Sequence, residues 1–576
     1  MTNEGLDPVL VPPHLQPALT ASRLSTAPRA WAHLDHWTLR LPDGEWGLAL
    51  LTTWAMWQQD PHAPQRLHWL ASTQAPPLTH DWEKLGQDWP HLKHMAQACA
   101  QACWGLLPGL HRLAWADGRV QLSLWVGESA ACQRWWDQTP HQVWGHPPSP
   151  AGSTSTANRG RSTGAAQRSA LVLGGGLAGA SAARALATHG FEVTVLDAGP
   201  TPAHGASGLP VGLMTPHVSG DDNPLSRLTR AGLRQVLAHA RAHLQAGEDW
   251  SPSGLLERRL SGKARRGRWP LSWVLPTNSD AFQLMGAAQD WFAPASDAQH
   301  LNAGLPPPEP GFGLEPKGIW HTHAGWMKPA RMVASLLDHP HIHWCGNTRV
   351  VSLQPGTPPD TWVAVDETGH PHPAEQVVIA LGPSSLGLLA PLLPNAHWPL
   401  EPLRGQVTGG PMASAMAGLL PPHPVNGLGS LISQVPMGDD GPMWWYGSTY
   451  DHSRQNAVCL AADQATNLAQ LQSLLPQLAG WVLDTEDADA FATTKTLGLR
   501  NWAGVRCTTS DRLPVVGSLA ALGAPGVHVL TALGSRGITL SMLCGHLLAA
   551  QICGEPWPMD PAIAHLLRPE RFKKQT

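Results

Sequence analysis

The feature that most constrains this chain is the stretch ALVLGGGLAGASAARALATHGFEVTVLDAG, residues 170–199. A short apolar run, LVLGGG (171–176), leads into a glycine turn and an alanine-rich helical segment. FEVTVLDAG (191–199) then reads as a second strand. Gly174, Gly176 and Gly179 stand in G-x-G-x-x-G spacing directly after the first strand. The first glycine permits a tight turn, the second lets backbone approach a pyrophosphate, and the third lets helix pack on strand. The free N–H groups of the helix N-terminus then face the anion. Asp197 ends the second strand, where a carboxylate takes ribose hydroxyls. Strand, helix, strand and acid in this order define a dinucleotide-binding unit. They predict an α/β fold with a parallel, Rossmann-like sheet.

A unit of this kind usually opens its chain, yet here it starts at residue 170 of 576. Residues 145–168, GHPPSPAGSTSTANRGRSTGAAQR, carry no apolar periodicity and read as a flexible linker. The chain therefore divides into a module at 1–144, the linker, and a second module at 169–576. At roughly 150 residues per domain, this length holds several cores.

The first module mixes strands and helices. RLHWLAS (66–72) and RVQLSLWVG (119–127) alternate like strands, while LALLTTWAMWQQ (48–59) and HLKHMAQACAQACWGLL (91–107) read as helices. In the second module, VVIALG (377–382) and GVHVLTALG (526–534) add buried strands, and ITLSMLCGHLLAAQIC (538–553) adds a helix. The last strand and helix are joined by a second glycine turn in LTALGSRGITLSM (530–542). A helix N-terminus there stabilises negative charge on a reduced flavin edge, which favours FAD over NAD. The FAD-binding parts are expected at about 169–235, 325–390 and 500–560. A mixed-sheet substrate part is expected at about 236–324 and 391–499.

Composition narrows the rest. No run approaches the ~18–20 apolar residues of a membrane helix. MTNEGLDPVLVPPHL lacks a basic segment followed by an apolar one. The eight cysteines form no C-x-x-C pair, so a reducing, cytoplasmic setting without structural zinc is expected. The thirty histidines lack matched ligands, and no metal is expected. With a net charge of −4, nucleic-acid binding must come from local patches. Two candidates are ERRLSGKARRGRW (257–269), with Arg258, Arg259, Lys263, Arg265, Arg266 and Arg268, and the terminal RPERFKK, with Arg571, Lys573 and Lys574. Tryptophan is abundant (28) beside 2 tyrosines and 6 phenylalanines, a skew with no functional reading at this level.

GASGLPVGLMTPHVSGDDNPLSRLTRAG (205–232), AGWMKPARMV (324–333), PLRGQVT (402–408), WAGVRCTTSDRLPVVG (502–517) and LGSRGITLSMLCGHLLAAQICGEPWP (533–558) resemble the D-amino-acid oxidase/glycine oxidase superfamily. With the ending HLLRPERFKK (565–574), they are similar in particular to the flavin half of the bifunctional family that makes tRNA 5-methylaminomethyl-2-thiouridine. The resemblance implies a glycine oxidase-like fold. It also implies FAD-dependent removal of the carboxymethyl group from 5-carboxymethylaminomethyl-uridine at the tRNA wobble position. The carbon–nitrogen bond is oxidised, the imine hydrolyses to amine and glyoxylate, and molecular oxygen accepts the electrons. Arg506 in WAGVRC matches the arginine that takes the substrate carboxylate. Arg404 in LRGQV is a second candidate, Arg536 in GSRG is expected at the flavin pocket, and His217 in TPHVSG is expected near the flavin. Cofactor contacts are expected from Gly174, Gly176, Gly179, Asp197, Ser207, Gly208, Val351, Gly382, Gly534, Ser535, Arg536, Gly537 and Ile538. A glycine or D-amino-acid oxidase acting on a free small amine is the alternative.

RLHWLASTQAPPLT (66–79), WPHLKHMAQA (89–98) and LLPGLHRLAWADGRVQLSLWVGE (106–128) resemble the methyltransferase half of the same family. The family's S-adenosylmethionine loop, GxGxGxN, is here DGEWGLALL (43–51), which keeps Gly44 and Gly47 but inserts Glu45 and Trp46. Side chains there obstruct backbone approach to a cofactor. Thr73 stands where the ribose carboxylate is expected, and the family's Asp-Gly-Phe-Ala-Pro run is missing before the linker. The module is expected to be a degenerate, truncated methyltransferase that binds no S-adenosylmethionine. A still bifunctional enzyme is the competing expectation.

Overall fold

The computed structural model describes residues 34–41, 46–128, 168–259, 269–276, 282–306, 318–357, 361–412, 418–478 and 498–572, together with 31, 130, 132, 133, 136, 142 and 143. The chain forms two compact units. The first comprises Met1–Gln167 with Ala550–Pro561, and the second Arg168–Ala549 with Ala562–Thr576. The linker expected at 145–168 lies outside the described residues except for Arg168. Of the described residues, no helix is long and apolar enough to cross a membrane.

The first unit is an α/β sheet of five strands: β1 (His36–Arg40), β2 (Arg66–Thr73), β3 (Gly109–Trp115), β4 (Val120–Val126) and β5 (Gln142–Val143). Their order is β3-β4-β2-β1-β5. All pair in parallel except β3, which forms an antiparallel hairpin with β4. Seven of the eight residues of β2 are buried, as a central strand covered on both faces requires. Helices α1 (Trp46–Gln59), α2 (Thr79–Asp88) and α3 (Lys93–Ala102) complete the unit. The helix expected over 91–107 stops at Ala102, short of Gly105, whose φ of +57° ends any helical path. The tryptophan excess finds a structural role here. Trp31, Trp37, Trp46, Trp54, Trp57, Trp69 and Trp82 share one core, with edge-to-face pairs at Trp31–Trp37 (5.0 Å) and Trp46–Trp82 (5.6 Å).

The second unit holds two large sheets. The nucleotide-type sheet contains β6 (Ser169–Leu173), β7 (Glu192–Leu196), β11 (Ile342–Cys345), β12 (Gln376–Ile379), β18 (Val515–Leu519) and β19 (Ala524–Thr531), in the order β11-β7-β6-β12-β19-β18. Only the β18–β19 pair is antiparallel. Helix α4 (Leu177–Thr188) crosses from β6 to β7. The strand order reverses at β6, beside β12, so the crevice at their carboxyl ends is a ligand position.

The other sheet contains β8 (Leu255–Arg258), β9 (Phe292–Pro294), β10 (Gly318–His321), β13 (Glu401–Pro411), β14 (Val425–Gly427), β15 (Gly429–Pro436), β16 (Pro442–Gly447) and β17 (Arg500–Thr508). Its order is β9-β10-β8-β14-β15-β16-β13-β17, mixed because β8 and β14 run parallel. The expected boundary at 500 is corrected on this point. Strand β17 pairs along nine register positions with β13, so residues 500–508 belong to the substrate sheet. The expected FAD-binding part also ran to 560, whereas Ala550–Pro561 groups with the first unit.

Candidate functional site

A cavity of about 2290 Å³ lies within the second unit. Small-ligand sites hold roughly 300–1,000 Å³, so this one has room for a long cofactor and a substrate together. One wall is the crevice at the carboxyl ends of β6 and β12. Gly174 has φ +107°, and a β-carbon there would stand 2.5 Å from the Ala380 carbonyl oxygen. A β-carbon at Gly179 would stand 1.8 Å from the Gly174 carbonyl oxygen, and one at Gly176 2.9 Å from Ser207 Oγ. Backbone carbonyls thus exclude a side chain at Gly174 and Gly179, while at Gly176 the Ser207 hydroxyl would have to move. The Leu177 N–H, at the start of α4, donates to Ser207 Oγ at 2.9 Å. Asp197 lines the same wall and accepts from the Gly175 N–H (2.6 Å) and the Gly199 N–H (2.7 Å).

The second glycine turn closes on the first. Gly534 has φ +58°, the turn Gly534–Arg536 is 3₁₀, and helix α5 (Gly537–Cys553) begins directly after it. A β-carbon on Gly537 would press within 3.2 Å of Leu177 Cδ1, so the starts of α4 and α5 adjoin. Gly534, Ser535, Arg536, Gly537, Ile538, Gly382 and Val351 all line the cavity. Gly179 and Gly208 do not. They pack backbone on backbone, Gly208 against the Ala203 carbonyl.

Arg506 reaches the cavity from β17. Its Nη1 donates to Ser535 Oγ at 2.8 Å, and its guanidinium lies over the Tyr450 ring at 4.9 Å. Nη2 is buried and has no acceptor among the described residues. Burial pulls the guanidinium pKa down, and Tyr450 partly offsets this. An unsatisfied buried donor beside a flavin-type crevice is what a carboxylate ligand would complete. Arg536 lines the cavity, and burial likewise lowers its pKa. His217 also lines it, with its N–H on Thr229 Oγ1 (2.8 Å) and Nδ1 at Ser226 Oγ (3.0 Å).

Arg404 is corrected from a candidate site residue to a structural one. It is 0% exposed, absent from the cavity wall, and paired with Asp463. It also donates to Gln406 Oε1 (3.1 Å) and to the Val458 carbonyl. Register explains this. Leu403, not Arg404, opposes Arg506, and paired residues share a face.

The basic patches divide. Arg258 and Arg259 both line the cavity wall; Arg259 contacts Glu257 at 3.3 Å, and the Arg258 side chain donates to the Leu474 carbonyl. Lys263, Arg265, Arg266 and Arg268 lie outside the described residues, as do Lys573 and Lys574. Arg571 is committed internally, to Asp511 (2.9 Å) and to the carbonyls of Leu567 and Leu513. Its expected role toward phosphate is corrected accordingly.

Sequence reasoning missed three features of this wall. Glu257 is held by His321 Nε2 at 2.8 Å, and His321 is 1% exposed. Burial raises the Glu257 pKa, but the hydrogen bond from His321 and the charges of Arg259 and His217 outweigh it and hold it below the usual carboxylate range. Gly405 leaves room for Arg506. The chain's two tyrosines, Tyr446 and Tyr450, both line the cavity. Two tyrosines four residues apart in a chain otherwise devoid of them were a usable signal.

Two facing glycine turns, two adjoining helix starts and a half-buried arginine define a flavin-dependent oxidoreductase of the amine-oxidising type. The FAD dependent oxidoreductase (DAO) family model matches residues 169–551. The tRNA 5-methylaminomethyl-2-thiouridine biosynthesis bifunctional protein of Verminephrobacter eiseniae is 37% identical over 94% of this chain and 97% of its own length. That of an Acidovorax species is 35% identical over 95% and 92%. Among solved structures, the glycine oxidase of Geobacillus kaustophilus superposes with a TM-score of 0.50 at 18% identity, covering 68% of this chain and 96% of its own. The fructosyl amine:oxygen oxidoreductase of Aspergillus fumigatus gives 0.51 at 17%, covering 72% and 92%. These two share the fold. The chain belongs to the FAD dependent oxidoreductase family and, within it, to the tRNA 5-methylaminomethyl-2-thiouridine biosynthesis bifunctional proteins. The alignment with the Verminephrobacter relative runs over 625 residues, more than the 576 of this chain, so that relative carries residues with no counterpart here.

Proposed function

We propose that the second unit removes the carboxymethyl group from 5-carboxymethylaminomethyl-(2-thio)uridine at the tRNA wobble position, leaving 5-aminomethyl-(2-thio)uridine and glyoxylate. The observation that carries this reading is the Arg506 guanidinium, half-buried on the cavity wall, with Nη2 lacking an acceptor among the described residues. The substrate side chain is an N-substituted glycine, and its carboxylate matches a guanidinium fork. When bound along Gly174, Gly176 and Ser207, FAD supplies the two-electron oxidation of the carbon–nitrogen bond, with molecular oxygen as the final acceptor.

The chain's own residues do the positioning. Ser535 fixes Nη1 of Arg506, and Tyr450 fixes the plane of its guanidinium. A carboxylate clamped there holds the adjacent methylene in one place, which is where most of the rate gain of such a site arises. Arg536 adds a second positive charge to the same wall. The side chains of Leu213, Ile432, Trp445 and Trp502 supply apolar surface that excludes water around the reacting carbon. A tRNA substrate sets the reaction in the cytoplasm.

We further propose that the first unit binds no S-adenosylmethionine. Its parallel strands follow the order of a nucleotide-binding half, and strand order reverses between β1 and β5. Arg40, the last residue of β1, lies at that reversal, stacked on Trp136 (4.8 Å) and bonded to Gln133 Oε1 (3.0 Å). Two large side chains thus stand at that reversal, where a cofactor needs open backbone, and this supports the reading. Trp46 and Gly47 form the first turn of α1, with Trp46 packed on Trp82. Gly44 and Glu45 lie outside the described residues.

The test is nucleoside analysis of tRNA carrying the carboxymethylaminomethyl group after incubation with the purified holoprotein, with and without S-adenosylmethionine. The aminomethyl product in both arms is expected. A methylated product overturns the proposal for the first unit. Oxidation of free glycine without any change in tRNA overturns the proposal for the second.

A further inference from the structure

The cavity wall has a polar end that the oxidation does not use. Glu257, Asn426, Ser430, Gly447, Val407 and Trp502 form one row of register partners across six strands, and all six face the cavity. The polar members cluster at the Glu257 end, where Ser430 Oγ meets Asn426 Oδ1 at 2.9 Å. Strand β8, bearing Glu257, and strand β17, bearing Arg506, are five strand spacings apart, roughly 24 Å along the sheet. A carboxymethylaminomethyl group on uracil spans less than half of that, roughly 10 Å at the ~1.5 Å advance of each bond. Whatever the Glu257 end holds is therefore another part of the substrate.

The chemistry of this end is specific. A carboxylate accepts hydrogen bonds and offers about four lone-pair directions. On Glu257, Oε2 is taken by His321 and Oε1 lies 3.3 Å from Arg259, so acceptor capacity remains on both oxygens. Its charge is already balanced by these partners, and it has no call for a cationic ligand. A neutral hydroxyl donor fits. A carboxylate reading a ribose hydroxyl beside a guanidinium suited to phosphate is a ribose–phosphate arrangement, and the 2′-hydroxyl is what marks RNA.

We infer that Glu257 and Arg259 form a subsite for a ribose–phosphate of the RNA strand at or beside the target nucleotide, Glu257 accepting from a 2′-hydroxyl. This rests on the tRNA reading above, but its test does not require turnover. Binding of an unmodified anticodon stem-loop RNA to the FAD-loaded full chain is measured by fluorescence anisotropy, with single 2′-deoxy substitutions at each loop position. The intact protein is expected to bind one deoxy variant about tenfold more weakly, the effect of one lost hydrogen bond to a charged group. Glu257→Gln, which exchanges a charged acceptor for a neutral one, is expected to narrow that gap to about two- to threefold. Arg259→Ala is expected to weaken every RNA alike and to lower the salt slope by about one ion. Flavin absorbance reports folding of both variants. Indifference of the intact protein to every deoxy substitution overturns the subsite, as does undiminished discrimination by Glu257→Gln. Failure of the tRNA oxidation alongside intact ribose discrimination would strike the catalytic reading and leave the subsite standing.

Discussion

Arg506 crosses directly over Gly405: a β-carbon on Gly405 would stand 2.4 Å from Arg506 Nη2 and 2.8 Å from the Thr449 carbonyl oxygen. The arginine can lie along the sheet only because its neighbour lacks a side chain. Gly405→Ala should push the guanidinium off the substrate position while leaving flavin absorbance intact. Loss of a charge-assisted carboxylate contact is worth about 2–3 kcal/mol, or roughly 50-fold in kcat/KM. Steady-state kinetics with the modified tRNA check this, and an unchanged kcat/KM would remove Arg506 from the site.

Arg404 and Arg506 should separate stability from activity. Arg404→Met strands Asp463 next to a buried gap, and breaking a buried pair costs about 3–5 kcal/mol. Arg506→Met leaves no carboxylate unpaired, so its melting curve should stay near the parent while turnover collapses. Denaturant titration beside activity assays distinguishes the two variants.

His528 gives the second unit an acid limit. It sits on β19 with Nε2 at 2.7 Å from Gln376 Oε1, and burial lowers its pKa to about 4. The unfolded chain has an ordinary imidazole near 6.5. Between these values the unfolded state carries a proton that the folded state does not, so stability falls as pH drops from about 6.5 to about 4. The loss is at most about 3 kcal/mol. His528→Gln should flatten that part of a stability–pH curve measured by denaturant titration, and an unaltered slope would count against it.

Glu555 should matter to the first unit although it lies near the end of the chain. Arg66 Nη2 meets Glu555 Oε1 at 2.7 Å with both side chains under 10% exposed, and Arg112 Nη2 donates to the Pro556 carbonyl at 2.7 Å. Glu555→Gln should therefore loosen that unit by about 3 kcal/mol. Limited proteolysis should then cut within residues 46–128 sooner than in the parent, with flavin content unchanged.

The opening motif was legible because everything it needs is local. Period, turn glycines and the carboxylate of Asp197 fall within thirty residues, and β6, α4 and β7 form where they were expected. The substrate sheet was not legible in the same way. Its parallel pair joins 255–258 to 425–427, a pairing no window of sequence contains. Register hid the difference between Arg404 and Arg506, since a one-residue offset exchanges the two faces of a strand. The run ERR looked like one basic patch, yet its members part ways by partner: Arg259 contacts Glu257, while the Arg258 side chain binds the Leu474 carbonyl.

The grouping of Ala550–Pro561 with residues 1–167 has a consequence for synthesis. The first unit leaves the ribosome first but lacks its last piece until residue 561 emerges. At about 5–20 residues per second, that is a wait on the order of tens of seconds. A tryptophan-rich partial core must be tolerated through that interval, while the flavin-binding chain is made in between. Cutting the gene within the codons for residues 145–168 would turn that transient state into a permanent one.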